Sequence, residues 1–345
     1  MLKKILFSVV TGFLVLSFAT NLLAASSALP FLRIAPSARA AGMGETFVAV
    51  AEGVDSTYWN PAGLANMDSM DVSLTHMLYW DSSSYDYVGF SYPFSKQIKL
   101  GAHLIYMSYG AIEKISESTS GSIGTTSGTF TPSDLAFAVS AGYLLNRNIQ
   151  LGATIKYAMQ TIDTSSVSAF ALDVGALVGL KMLDENLIFG AAVSNFGTQI
   201  SGDSLPLTAR GGVSDKFKLL EPEDLTVAVT AYYPFDTGKL SENIGAEFWY
   251  QKEFAVRLGY KLGYDVGGLS VGLGYRSSLE GMFGYEIDYT YASSGNLGDT
   301  HRVSVVLFLD EGSSRGGKGS RGGGGAGGSS GGNKGVRTSP GLKKY

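Results

Sequence analysis

Beyond residue 70 apolar and polar positions alternate with a period of two. Leu151, Ala153, Ile155, Tyr157 and Met159 interleave with Gly152, Thr154, Lys156, Ala158 and Gln160, and Phe254, Val256, Leu258 and Tyr260 interleave with Ala255, Arg257, Gly259 and Lys261. The pattern returns at 269–276 and 283–290. Successive side chains of a strand point to opposite faces, so each segment reads as a strand with one bulky apolar face and one small or polar face. A soluble sandwich would bury the bulky face and crowd Lys and Glu outside. Here the second face is Gly and Ala with a few charges, which suits the lumen of a membrane barrel whose bulky residues meet lipid. The alternation predicts strands near 71–80, 85–93, 97–109, 133–145, 148–161, 168–181, 185–196, 206–214, 224–233, 241–250, 253–262, 266–276, 281–291 and 300–309. The fold class is therefore all-β: a transmembrane antiparallel β-barrel of about 14 strands over 71–309.

Connection lengths support this count. With the mature N-terminus starting in the periplasm, the Ser/Thr/Gly-rich stretch 110–132 falls outside the cell, and the tight turns Asn146-Arg147-Asn148 and Gln251-Lys252 fall on the periplasmic side. Outer-membrane barrels show this asymmetry of long loops and short turns. The connection 215–223, with Glu221-Pro222-Glu223, is long for a periplasmic turn and points to a miscounted strand there.

The stretch before the first strand does not alternate. RAAGMGETFVAVAEGVDSTYWNPAGLA at 39–65 is dense in small residues, with Gly42, Gly44, Gly53 and Gly63, and Asn60-Pro61 signals a turn. Such a segment suits close packing, and one lying immediately before the first strand can fold back inside the barrel. Residues 31–65 are therefore expected to form a plug, or hatch, in the lumen. The chain begins with Lys3 and Lys4, an apolar run and small residues up to Ala28, the layout of a secretory signal peptide over 1–25 that is cleaved on export.

Composition agrees with a membrane barrel. The chain of 345 residues is 45% hydrophobic and only 16% charged, too little charge for a simple soluble surface. The net charge of -4 gives no reason to expect nucleic acid. The absence of cysteine excludes disulfides, thiolate metal sites, a Cys nucleophile and a lipidated cysteine. His76, His103 and His301 do not sit at ligand spacing, and Gly272-Leu273-Gly274 lies in a wall strand without phosphate-loop context. No cofactor, metal or catalytic residue is assigned, and the protein is expected not to be an enzyme.

Charges inside the lumen are more informative. Glu247, Arg257, Lys261, Arg276, Glu286 and Asp288 project to one side of four consecutive strands. Opposite charges on neighbouring strands pair across a ladder, so these residues read as a salt-bridge lattice that fixes register and anchors the plug, with a polar ligand track as the other reading.

FLRIAPSARAAGMGETFVAVAEGVDSTYWNPAGLA at 31–65 resembles the N-terminal signature of the PorV/PorQ family, a branch of the FadL-like outer-membrane barrels, and NLGDTHRVSVVLFL at 296–309 is similar to that family's closing strand. The resemblance implies a fourteen-stranded barrel with a lumenal hatch, in which Asn60, Pro61 and Ala62 correspond to the superfamily's hatch motif. Arg39, Gly42, Gly44 and Gly63 complete the hatch residues. It also implies two jobs: the type IX secretion machinery, handling secreted proteins, or uptake of hydrophobic small molecules. The expected partners are outer-membrane lipid together with one of those two classes, and the expected place is the bacterial outer membrane. The final strand lacks the usual terminal aromatic, and the Gly-rich tail 310–345, with seven Lys or Arg, is too poor in apolar residues to fold.

Overall fold

The computed structural model describes residues 27–79, 82–115, 126–182, 185–219, 222–264, 267–279, 283–293, 295 and 298–309. The expected signal peptide and the tail 310–345 lie outside them. Sixteen strands occur among these residues: β1 Met70–Leu78, β2 Ser84–Tyr92, β3 Ile98–Ser108, β4 Ile112–Ile115, β5 Thr126–Phe130, β6 Ser133–Asn146, β7 Ile149–Ile162, β8 Ser165–Met182, β9 Glu185–Gly197, β10 Thr208–Lys218, β11 Asp224–Pro234, β12 Ser241–Tyr250, β13 Phe254–Leu262, β14 Leu269–Leu279, β15 Phe283–Ser293 and β16 Asp299–Leu309. All but β4 and β5 form a closed fourteen-stranded barrel in which each strand pairs with its sequence neighbours and β1 pairs with β16. The closing ladder is antiparallel and runs from Met70 opposite Leu309 to Leu78 opposite His301. Neighbouring ladders are continuous apart from register shifts at Leu144/Asn146 and Leu172/Val174.

The alternation determines which residues face lipid. Leu74, Val88, Leu104, Phe137, Ile155 and Leu258 are exposed on the outer surface, whereas their strand neighbours point into the lumen and are buried. Closure pairs every wall strand on both sides, so among the described residues the wall presents no unpaired strand edge to lipid.

Two expectations about the connections change. The stretch 110–132 is not featureless: β4 and β5 form a separate antiparallel pair with Ile112 opposite Phe130. Short hairpins of this kind carry weak alternation and escape a search tuned to wall strands of about ten residues. The long turn at 215–223 does not mark a missing strand, because β10 runs on to Lys218 and pairs with β11 as far as Lys218 opposite Asp224. The sequence Ser214-Asp215-Lys216 lacks bulky residues, so the alternation breaks off at 214 while the strand continues. With that extension one rim has only short connections, such as 147–148, 219–223 and 251–253, and the other carries 109–132, 198–207 and 235–240.

Residues before β1 fill the lumen with short helical turns: Pro30–Arg33, helix α1 Ala38–Gly42, Gly53–Asp55, helix α2 Ser56–Trp59 and Pro61–Asn66. The segment begins at the long-loop rim, where Ala28 N–H donates to Ser204 O at 2.9 Å. Much of the core lies inside the barrel. Phe31, Phe47 and Trp59 of the segment pack in one cluster with Met77, Tyr85, Ile105 and Ala136 of the wall.

Candidate functional site

The apolar cluster in the lumen lies against β1–β3 and β6–β8, which also bury isolated charges, and the main ionic lattice is built on β12–β15. On the apolar side the wall is made of glycine where the segment lies against it. A Cβ on Gly152 would stand 2.2 Å from the carbonyl carbon of Pro61, and one on Gly175 would stand 2.1 Å from Asn60 Oδ1. The same close approach continues at Gly190 against Val48 O and at Gly245 against Met43 O, both within 2.3 Å. Wall and segment thus meet backbone to backbone, closer than any residue with a Cβ allows.

Asn60 is the centre of this docking. It is fully buried, caps the turn that starts at Pro61 by accepting from Ala62 N–H at 3.2 Å, and donates to Val48 O at 2.8 Å and to Ala176 O of β8 at 3.2 Å. One side chain therefore joins two parts of the segment to the wall. Ala62 lies against Gly152, and a Cβ on Gly63 would meet Ala51 O at 2.2 Å. Gly42 rests on Gly272, Thr290 and Arg257, and Gly44, with φ of 66°, lies against Gly259 and Tyr260 of β13. Thr290 Oγ1 donates to Ala38 O at 2.6 Å and Ala38 N–H donates to Ser304 Oγ at 2.8 Å, which ties α1 to β15 and β16.

The ionic side brings together five of the six lumen charges expected from the sequence, with Arg39 of α1. Arg39 donates to both oxygens of Glu247, at 2.8 and 2.7 Å, and to Glu52 at 2.6 Å. Arg257, fully buried, donates to Glu247 at 2.7 Å, Asp288 at 2.5 Å and Glu286 at 3.0 Å. Arg276 closes the lattice on Glu286 at 2.6 Å and lies 4.4 Å from the centre of the Trp249 ring. Bidentate arginine–carboxylate pairs of this kind are directional as well as strong. Lys261 does not join them. It projects toward the long-loop rim and pairs with Glu45 at 2.5 Å.

A second buried charge cluster has no counterpart in the sequence reading. Lys156 of β7 contacts Asp173 of β8 at 2.6 Å and Asn195 of β9 at 2.9 Å, at the register shift between β8 and β9. Asn195 has a φ of 64°, and its N–H donates to Asp173 at 2.8 Å. Strand alternation puts Lys156 in the lumen, but nothing in the sequence shows the bulge that aims Asn195 at it. The histidines are dispersed: His103 is buried beside Tyr87, His76 contacts Asp86 at 2.7 Å, and His301 contacts the Tyr289 hydroxyl at 2.8 Å. Among the described residues no group of three or more His, Asp or Glu is placed to hold a metal ion.

Clefts open at both rims. One of about 380 Å³ lies at the long-loop rim among Arg33, Arg210, Tyr232, Lys261, Tyr264 and Arg302. Two of about 370 and 560 Å³ lie at the short-turn rim and share Arg39, Glu52, Asn66 and Arg276. The first shares no lining residue with the other two.

A closed antiparallel barrel with a lipid-facing outer surface and a filled lumen is an outer-membrane barrel of FadL-like fold. Its fold is similar to that of the Pseudomonas putida toluene transporter TodX, at a TM-score of 0.55 and 12% identity over 84% of this chain and 100% of that one. The CymD monoaromatic hydrocarbon channel is also similar, at 0.52 and 12% over 80% and 97%. Residues 19–205 match the family described as type IX secretion system protein PorV, and the chain belongs to that family. The match does not reach the strand at 296–309. No curated protein matches the chain in sequence.

Proposed function

We propose that this protein is a plugged outer-membrane barrel that serves protein export of the type IX kind, offering its long-loop rim to exported proteins or secretion components, and that it performs no chemistry. The observation that carries this reading is the backbone contact between the segment and the wall. Ten of the fourteen wall strands carry a glycine at which an added Cβ would come within about 3.1 Å of the segment, so the lumen is shaped to stay filled. Arg39, Gly42, Gly44, Asn60, Pro61, Ala62 and Gly63 act as the plug's fastening points, and Glu247, Arg257, Arg276, Glu286 and Asp288 act as its ionic anchor. Residues 1–25 serve as a cleaved export signal. The family match supports the export role. By the usual asymmetry of such barrels the long-loop rim faces the outside and the short-turn rim the periplasm.

Uptake of hydrophobic small molecules is the second reading, favoured by the likeness in fold to a toluene transporter and a monoaromatic hydrocarbon channel. It requires the plug to move. The two readings separate on one pair of deletions. Removing 110–132 should release a co-purifying exported protein while leaving the barrel assembled, and removing 39–62 should raise conductance in planar bilayers. Retention of every partner after the loop deletion, together with loss of growth on a hydrocarbon after a bulky substitution at Gly42, would replace export with uptake.

A further inference from the structure

The cleft at the long-loop rim holds more positive charge than its acids neutralise. Arg33, Arg210, Lys239, Lys261 and Arg302 line it, and among the described residues Glu45 is the one carboxylate in the lining. Three of these cations have partners: Arg33 pairs with Asp236, Lys261 pairs with Glu45 at 2.5 Å, and Lys239 is also engaged. Arg210 and Arg302 form no salt bridge among the described residues, although they are only 8% and 6% exposed.

Arg210 donates to Thr208 Oγ1 at 3.4 Å and lies 5.0 Å from the centre of the Tyr232 ring and 5.5 Å from that of Trp59. Arg302 Nε faces Met77 Sδ at 2.8 Å, and its Nη1 has no hydrogen-bond partner among the described residues. A buried guanidinium without a counter-ion is costly, and rings and a thioether offset only part of the cost. Burial pushes the Glu45 carboxyl up, but Lys261, then Arg302 and Arg210, outweigh it and hold the group below its ordinary value. Among the described residues, one carboxylate facing three cations leaves a surplus of about two positive charges.

We propose that this cleft is a binding site for a phosphate-class oxyanion, held between Arg210 and Arg302. Two unpaired guanidiniums match a doubly charged group, and their forked donors suit its oxygens. Ser241, Ser270 and Thr300 add hydroxyls to the lining, and the Tyr232 and Tyr264 rings stack at 6.0 Å beside it. The cleft's about 380 Å³ is at the small end of ligand pockets, enough for a phosphate carried on one sugar ring. Ile34, Ala35 and Tyr79 bring the edge of the apolar cluster to the cleft, so an alkyl carboxylate is the competing ligand that the test has to exclude.

The site is independent of the export reading, and titration calorimetry on the full chain in detergent tests it separately. Inorganic phosphate, glucose 6-phosphate and laurate are the probes. Both phosphates should bind, and R210Q/R302Q should weaken them by at least about tenfold, because charge-assisted hydrogen bonds to the oxyanion are lost. Tighter binding of glucose 6-phosphate assigns the site to a sugar-borne phosphate, and equal binding assigns it to the free ion; both uphold the proposal. R210K keeps the charge and the fold but lacks the fork, so it should weaken binding several-fold and covers the case in which the double variant does not assemble. Absence of phosphate binding in the wild type, full affinity in R210K and, where it assembles, in R210Q/R302Q, or displacement of phosphate by laurate overturns it.

Discussion

Arg257 contributes no surface to solvent, and its charge is sustained by Glu247, Glu286 and Asp288. Removing one member of such a network leaves uncompensated buried charge, at a cost of about 3–5 kcal/mol. Arg257→Met should therefore lower the temperature at which the folded, fast-migrating form is lost on gels, and Lys218→Met, at an exposed strand end, should not. Asp55 carries a different signature. It is buried in the plug beneath Ser37, which donates to it at 2.5 Å, and faces Arg39, Arg257 and Glu286. Burial is the largest influence and raises its carboxyl to about 6, against the opposing pull of Ser37 and the two arginines. Because the folded form holds this proton more tightly than the unfolded chain, its contribution is fully present below the ordinary carboxylate value of about 4 and is lost as pH rises through about 6. Plug opening, read as single-channel conductance steps, should be rarer at pH 5 than at pH 7. Asp55→Asn should flatten that difference, and an unchanged slope would remove Asp55 from the account.

At the level of elements, the wall was legible because bulky residues recur at every second position and closure demands an even, paired set. All fourteen wall strands follow from that rule, and the departures have local causes: no bulky residue at 214–216 and a short hairpin of β4 and β5 within a polar loop. The ionic site was half legible. Neighbouring strands put Glu247, Arg257, Arg276, Glu286 and Asp288 on one face, but Lys261 lies four residues beyond Arg257, roughly 13 Å along the strand, and so meets Glu45 instead. Arg39 was visible as a basic residue in a small-residue block, yet its partner across the lumen was not. Arg210 and Arg302 escaped notice because they belong to strands that are not neighbours, so only the curvature of the closed wall brings them to one cleft. The glycine belt gives this scale its prediction. A Cβ on Gly259 would stand 1.9 Å from Gly44 N, which only displacement relieves. Gly259→Val should expose the plug to protease from the periplasmic side while the barrel remains assembled, whereas Gly211→Val, with open space at its Cβ, should leave cleavage unchanged.

For the whole molecule, the ladder between β1 and β16 governs the order of events in biogenesis. Met70 meets Leu309 only after nearly all the described chain has been delivered, so the last strand made is the one that seals the wall. The lumenal segment crosses the inner membrane first and must wait, with Phe31, Phe47 and Trp59 uncovered, until the sheet curls around it. Pairings this distant in sequence form slowly, and the open sheet is vulnerable to misassembly while they form. Truncation at residue 298 should therefore give no heat-modifiable species at all, in contrast to the milder losses expected from single substitutions. The interval before sealing is when a periplasmic chaperone has most to protect, and the part in need is the segment that arrived earliest.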